Sequence, residues 1–209
     1  APKIHQTERT LVEYHLKQED YAPTGFFTTN SEASKTLSVP KNPVYFPIMF
    51  TEPLQPHKDA IGLELTQRPF NQQAIRKSAL DKRVHATSPF STVQDPDGPL
   101  ATAIYFPVFD DHERHNAINE KYFPPDDLKG YVIMLLKPER LLLSNLANRE
   151  HIHFILSDVT RENHLRIFPK YLADPDVHLS YSFPLTLPGR TWQLDIHFTQ
   201  TMPILWIPY

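Results

Sequence analysis

The sequence predicts an α+β fold made of two similar modules in tandem, each an antiparallel sheet with helices on one face. Two amphipathic helical segments each follow an apolar run of strand length. The order of strand, helix, strand and strand hairpin occurs twice along the chain. Pro124-Pro125 ends a polar stretch between the two copies, which is a strong boundary signal. We therefore place the first subdomain at residues 1–125 and the second at residues 126–209.

The first module is predicted to open with a helix and to continue mainly in strands. Pro69 suits the first position of a second helix, because a residue there needs no backbone N–H. Asp95-Pro96-Asp97-Gly98 is typical of the turn of a hairpin. The predicted elements are a helix at 5–20, strands at 26–29 and 44–50, an apolar segment at 60–65, a helix within 66–83, and strands at 88–94 and 100–109.

The second module repeats this order. Gly130 precedes an apolar strand, and Pro138 begins a helix, as Gly62 and Pro69 do in the first copy. The predicted elements are a strand at 131–136, a helix at 138–148, and strands at 151–159, 164–168, 178–183 and 190–198.

Composition excludes several classes of function. The net charge is −3 and no basic face is evident, so we expect no nucleic-acid partner. The chain has no cysteine, which excludes disulfides and thiol catalysis but fits a bacterial envelope protein as well as a cytosolic one. No motif for a serine hydrolase, a phosphate loop or a zinc protease is present. We expect no enzymatic activity of this domain and no cofactor.

The ends of the sequence suggest a piece of a longer chain. It starts at Ala1-Pro2, ends on the apolar segment 202–209, and contains no apolar run of the ~20 residues that a membrane helix needs. We therefore expect further segments outside these residues.

Six motifs occur in order along the chain: 45-YFPIMFTEP-53, 61-IGLEL-65, 86-ATSPFSTVQ-94, 104-IYFPVF-109, 128-LKGYVIML-135 and 190-RTWQL-194. Together they resemble the CHASE domain, the extracytoplasmic sensor of receptor kinases and nucleotide cyclases. The start 2-PKIHQTER-9 also resembles a family segment, whereas Glu64 stands where many members carry Asp, and the family's long N-terminal stalk helix is missing.

The resemblance implies a specific architecture. The two modules would be PAS-like subdomains, with residues 1–125 membrane-distal and ligand-binding and residues 126–209 membrane-proximal. Transmembrane helices would flank the domain, which would form the periplasmic or extracellular portion of an inner-membrane protein. The expected partners are an unknown small-molecule ligand and a second copy in a receptor homodimer. The expected output is a diguanylate cyclase or phosphodiesterase, or a histidine kinase.

A proline inside the apolar strand 44–50 suggests the rim of a pocket. Pro47 removes one ladder hydrogen bond and would bend the strand, and Pro107 repeats the feature. Alternation places Tyr45, Pro47 and Met49 on one face, and Phe46, Ile48 and Phe50 on the other. The predicted ligand-binding residues are Tyr45, Pro47, Met49, Glu52, Leu65, Thr87, Phe90 and Tyr105.

Two of these residues have an alternative interpretation. Thr87 resembles the hydroxyl with which hormone-binding members of the family hold their ligand, but it could equally cap a backbone turn. Glu52 resembles a carboxylate that meets a polar ligand edge, and a solvated side chain is the simpler account of it.

Histidines offer a weaker alternative function. His151 and His153 would share one face of a strand at a spacing that suits metal ligands, but no third ligand is evident, so we predict no metal site. The cluster 110-DDHERH-115 reads as a solvated loop. The other functional hypotheses are a periplasmic protein-interaction module with a closed pocket and a metal-binding or hydrolytic envelope protein.

Overall fold

The structure is a computed structural model that describes residues 1–22, 25–29, 36–92, 95–110, 123–146, 152–169 and 179–199. Contacts divide the chain into two compact units, Ala1–Leu136 and Lys137–Tyr209. Several antiparallel sheets and few helices confirm the α+β class. In the part of the chain that is described, no helix has the length and apolar character needed to cross a bilayer.

The described residues of the first unit form three separate antiparallel sheets. They pair β1 with β4, β2 with β3, and β5 with β6 and β7. Its elements are β1 (Ile4–His5), α1 (Gln6–Gln18), β2 (Phe27–Thr29), β3 (Thr36–Ser38), β4 (Val44–Tyr45), α2 (Leu54–His57), a 3₁₀ turn (Lys58–Ala60), α3 (Pro69–Asp81), β5 (His85–Ala86), β6 (Thr102–Phe109) and β7 (Leu128–Leu136).

Both helices predicted for the first half are present. The backbone N–H of His5 donates to the Glu8 carboxylate at 2.9 Å, which satisfies a free donor at the start of α1. Helix α3 begins at Pro69, as predicted, and ends before Lys82, which adopts a left-handed conformation with φ 51°.

The strand β7 belongs to the first unit, whereas the predicted boundary at 125/126 assigned it to the second. The reason is that β7 pairs with β6 along its whole length. The start of the chain lies on its other edge, where Tyr131 N donates to Ala1 O at 2.8 Å and Lys3 N donates to Lys129 O at 2.8 Å. At Gly130 (φ +152°) a Cβ would lie 2.4 Å from Ala1 O, so only glycine permits this approach.

The strands predicted at 44–50 and 88–94 are shorter than expected. Regular pairing stops at Tyr45, because Pro47 has no N–H to donate. Single bonds continue the contact: Ile48 N donates to Leu63 O at 3.0 Å and Leu65 N donates to Phe46 O at 3.3 Å. Within 88–94, Phe90 forms an isolated bridge with Ala101, and residues 93 and 94 lie outside the described residues.

Two apolar cores stabilise the first unit. One lies between α3 and the β5–β6–β7 sheet and contains Phe46, Leu65, Ile75, Tyr105 and Tyr131 among others. The second core packs around α1 and contains Leu16, Phe26, Val39, Tyr45 and Ile61. The segment 45–49 contributes side chains to both cores.

The second unit contains one four-stranded antiparallel sheet in the order β10-β11-β8-β9. The helix and four strands predicted from the sequence are confirmed here, with small changes of their ends. Asp158 accepts from Arg190 Nε at 2.6 Å in a buried ion pair beside Trp192. The elements are α4 (Pro138–Leu146), β8 (Ile152–Asp158), β9 (Leu165–Phe168), β10 (Leu179–Leu187) and β11 (Arg190–Phe198).

Candidate functional site

Several of the predicted ligand residues divide between the two cores of the first unit. Tyr45 and Met49 pack into the core around α1, while Leu65 and Tyr105 belong to the core beneath α3. Within the segment 44–50, Tyr45 and Met49 therefore face one core while Phe46 and Ile48 face the other, as alternation predicts. Phe50, at the end of the segment, is 89% exposed.

Tyr45 has a structural role. Its buried hydroxyl accepts from Asn42 N at 2.7 Å and from Arg9 Nη1 at 3.0 Å, and it donates to Gln6 Oε1. These bonds join α1 to the segment that leads into β4. Because the hydroxyl already has several partners, it offers little to a ligand.

Thr87 and Pro47 also stabilise the backbone. Thr87 N donates to Ala103 O at 2.9 Å, and the buried hydroxyl accepts from Ala103 N at 3.0 Å, so this residue extends the pairing of β5 with β6. Pro47 is buried in an isolated bridge with Glu64. Glu52 is exposed to solvent, which agrees with the simpler interpretation of this carboxylate.

Tyr105 is different, because it is fully buried and its hydroxyl has no hydrogen-bond partner among the described residues. Its ring lies edge-on to Tyr131 at 5.6 Å, and the Tyr131 hydroxyl donates to Ile75 O at 2.9 Å. Burial is the main cause that raises the pKa of Tyr105, and Tyr131 and Glu64 raise it further, whereas Arg68 lowers it. The hydroxyl is therefore a neutral donor and acceptor.

Arg68 lies close enough to influence that hydroxyl electrostatically. It precedes α3 and is only 3% exposed. Its Nη2 donates to Ser91 O at 3.3 Å, and its Nε has no hydrogen-bond partner in the part of the chain that the structure describes. The guanidinium carbon lies 4.6 Å from the ring centre of Phe70 and 5.5 Å from that of Phe90, and these rings stack at 4.4 Å. Burial lowers the pKa of Arg68, against the opposing effect of Tyr105.

Asn71 adds a third polar group to this region. It is 2% exposed and lies on the buried face of α3 together with Ala74 and Ile75, which pack into the same core as Tyr105. Its Oδ1 accepts no hydrogen bond from the described residues. Arg68 is the residue immediately before α3, and Asn71 lies in the first turn of that helix.

We call Arg68, Asn71 and Tyr105 the polar cluster. Leaving a buried polar group without a partner costs about 1–3 kcal/mol, and folded proteins contain few such groups. The cluster offers guanidinium donors, an amide acceptor and a hydroxyl beside the stacked Phe70–Phe90 pair. Four buried threonine hydroxyls also have no hydrogen-bond partner among the described residues, those of Thr28, Thr29, Thr92 and Thr102. Of these, Thr102 lies on the same strand as Tyr105, but alternation directs it to the opposite face of the sheet.

A separate open cleft lies between β4 and the start of α3. Its volume is about 680 Å³, which is within the usual range for small-molecule sites. Phe46 and Phe123 face each other there at 6.3 Å between ring centres. None of the predicted ligand residues lines it. The lining residues are Asn42, Pro43, Val44, Phe46, Thr66, Gln67, Pro69, Gln72, Gln73, Arg76, Phe123 and Pro124.

Glu64 holds the floor of this cleft in place. Its fully buried carboxylate accepts from Phe46 N at 3.0 Å, from the Thr66 hydroxyl at 2.9 Å and from Gln67 N at 3.2 Å. All three donors belong to residues that line the cleft. Glu64 is therefore a positioning residue for this surface.

The histidine hypothesis gains no support. Across β8 and β11, His153 pairs with His197, while His151 and residues 111–115 lie outside the described residues. Within the described ranges, no group of three or more His, Asp or Glu side chains could hold a metal ion.

Comparison with known protein families places this geometry in context. A search of curated protein sequences finds no match to the chain. The family model of the CHASE domain matches residues 1–168, which include the whole first unit and the start of the second. CHASE domains are extracytoplasmic sensory domains without catalytic activity. Because the match covers most of the 209 residues, the chain belongs to the CHASE domain family.

Proposed function

We propose that this chain is the ligand-sensing ectodomain of a bacterial transmembrane receptor, and that its first unit binds a small molecule at the polar cluster. The observation that carries the proposal is the burial of three polar atoms, Arg68 Nε, Asn71 Oδ1 and the Tyr105 hydroxyl, without a hydrogen-bond partner among the described residues. A ligand that satisfied these groups would recover the free energy that their burial costs.

The proposed receptor architecture is suggested by the family resemblance. Flanking membrane helices, a homodimer and a cytoplasmic cyclase, phosphodiesterase or kinase are parts of the same proposal. So is the arrangement of two PAS-like subdomains with the first distal to the membrane. Signalling requires that the ligand bind one conformation of the receptor more tightly than the other, since equal affinity would shift no population.

The polar cluster is favoured over the full set of predicted residues for a specific reason. Tyr45 and Thr87 use their hydroxyls in bonds to the protein itself, and Glu52 is exposed. Of the predicted residues, Tyr105 and Phe90 remain available to contact a ligand. Arg68 and Asn71 join them at the proposed site.

The test is a thermal-shift screen of small metabolites on the whole chain, followed by calorimetry with each compound that raises the melting temperature. Tyr105→Phe should weaken binding about 5- to 10-fold, because it removes one neutral hydrogen bond. Without ligand this variant should be as stable as the parent, since its hydroxyl has no partner to lose. Tyr14→Phe, at an exposed position of α1, is the matched control.

Two results would contradict the proposal. One is a ligand whose affinity is the same for the Tyr105→Phe variant and the parent. The other is a screen without any compound that binds, which would favour the alternative of a protein-interaction module with a closed pocket.

A further inference from the structure

Arg68 is the least expected member of the polar cluster, because it buries a cation without a counter-ion. Among the described residues, no carboxylate forms an ion pair with it, and the hydrogen bond of its Nη2 to Ser91 O is long, at 3.3 Å. Arginine stays protonated in proteins, so the charge itself persists in this environment. Buried charges in folded proteins are normally paired.

Contacts with the aromatic rings nearby compensate for only part of the cost of burying the Arg68 cation. Phe70 and Phe90 attract the cation through their ring faces, at 4.6 and 5.5 Å. Ring faces do not accept hydrogen bonds from the in-plane N–H groups of the guanidinium, and Nε has no hydrogen-bond partner among the described residues. These N–H groups form a planar fork that matches the two oxygens of a carboxylate or the oxygens of a phosphate.

The two other members of the cluster complement such a group. The Tyr105 hydroxyl can donate a second hydrogen bond to an oxyanion. Asn71 Oδ1 is an acceptor without a donor, so it requires an O–H or N–H group from the ligand. An oxyanion alone would leave Asn71 unsatisfied.

We propose that the ligand of the polar cluster is a small organic acid that also carries a hydroxyl or amino group. Its oxyanion binds the Arg68 guanidinium and the Tyr105 hydroxyl, and its O–H or N–H group donates to Asn71 Oδ1. The Phe70–Phe90 pair forms the apolar wall beside it. This inference rests on the proposed function and specifies the chemistry of the ligand.

The experiment measures the melting temperature and calorimetric affinity of the whole chain with matched probes. Lactate, malate, serine and glutamate are acids with a donor group. Propionate and succinate lack the donor, lactamide and serinamide lack the acid, and glycerol 3-phosphate replaces the carboxylate by a phosphate. We expect at least one acid with a donor to raise the melting temperature. Its amide and its donor-free analogue should each bind about 10-fold more weakly or worse.

Variants then assign the effect to Arg68. Arg68→Gln should weaken binding of the acid by about 10- to 100-fold, because it removes a charge-assisted pair. Arg83→Gln, which changes an exposed arginine after α3, should leave the affinity unchanged. Arg68→Met should melt at or above the temperature of the ligand-free parent, because it removes an unpaired buried charge. If that variant does not fold, Arg68→Lys keeps the charge without the fork and should show the same loss of affinity for the acid.

Several outcomes overturn the inference. They are binding of no acid in the set, equal binding of an acid and its amide, and unchanged affinity for the acid in Arg68→Gln. A lower melting temperature of ligand-free Arg68→Met would show that Arg68 serves packing. A neutral metabolite that binds the parent and loses affinity in Tyr105→Phe would overturn the acid chemistry while leaving the proposed function in place. Preference for the phosphate probe or for a carboxylate decides which oxyanion the site takes.

Discussion

Replacing Glu64 by glutamine tests whether one buried carboxylate holds the cleft of the first unit together. Its two oxygens accept hydrogen bonds from Phe46 N, the Thr66 hydroxyl and Gln67 N. Glutamine keeps one acceptor oxygen and presents an NH₂ group in place of the other. Phe46 N bonds Oε1 and Gln67 N bonds Oε2, so one of these two backbone donors must lose its acceptor.

The magnitude follows from these contacts. A buried donor without a partner costs about 1–3 kcal/mol. The bonds that remain lose their charge assistance, which adds about 1 kcal/mol. We therefore expect Glu64→Gln to lower the free energy of unfolding by about 2–4 kcal/mol. With a urea dependence of about 2 kcal/mol/M, this loss moves the unfolding midpoint by about 1–2 M.

The assay is urea unfolding followed by far-ultraviolet circular dichroism, which detects α1 and α3 of the first unit. Glu52→Gln is the matched control, because that carboxylate is exposed, and its effect should stay within about 0.5 kcal/mol. Glu64→Asp keeps both oxygens but withdraws them by one methylene, so its effect should be intermediate. Equal midpoints for Glu64→Gln and Glu52→Gln would refute the assigned role of Glu64.

Three further predictions concern other parts of the molecule. In the second unit, Asp158→Ala leaves the buried Arg190 guanidinium unpaired and should cost about 3–5 kcal/mol, measured by tryptophan fluorescence during urea unfolding. Burial raises the pKa of Tyr105 and Tyr131 above the ordinary value of 10.0, so the folded state binds more protons at high pH. Their contribution to stability should therefore be complete below pH 10.0 and lost above it, and the near-ultraviolet tyrosinate absorbance should show two groups that ionise only on unfolding. Gly62→Ala should destabilise by about 1–3 kcal/mol in thermal melts, because the position has φ +88° and its new Cβ would lie 2.7 Å from a neighbouring side chain.

Much of the fold could be predicted from local patterns. The helices α1 and α3 follow from apolar spacing and from the proline that starts α3. The sheet of the second unit follows from alternating strands. The boundary between the units could not be predicted in the same way. It depends on the long-range pairing of β7 with β6, whereas Pro124-Pro125 is only a local turn signal.

The site was harder to predict than the fold. Apolar side chains of the strand 44–50 suggested a pocket wall, but side chains of this kind equally build two cores, as Tyr45 and Phe46 do. The burial of Arg68 and Asn71, which the proposed site uses, was not predicted because a polar residue at the start of a helix normally faces solvent. Their burial depends on how α3 packs on the sheet. Glu64 could have been noticed, because it stands between two apolar residues of the segment 61-IGLEL-65.

The contact between the start of the chain and β7 has a mechanical consequence. Pro2 and Gly130 pair in antiparallel fashion, and backbone hydrogen bonds join Ala1 and Lys3 to β7 on either side of this bridge. A force applied to Ala1 along the strand direction would load these bonds in shear. It would reach the strand that leads into Lys137 without first deforming α3.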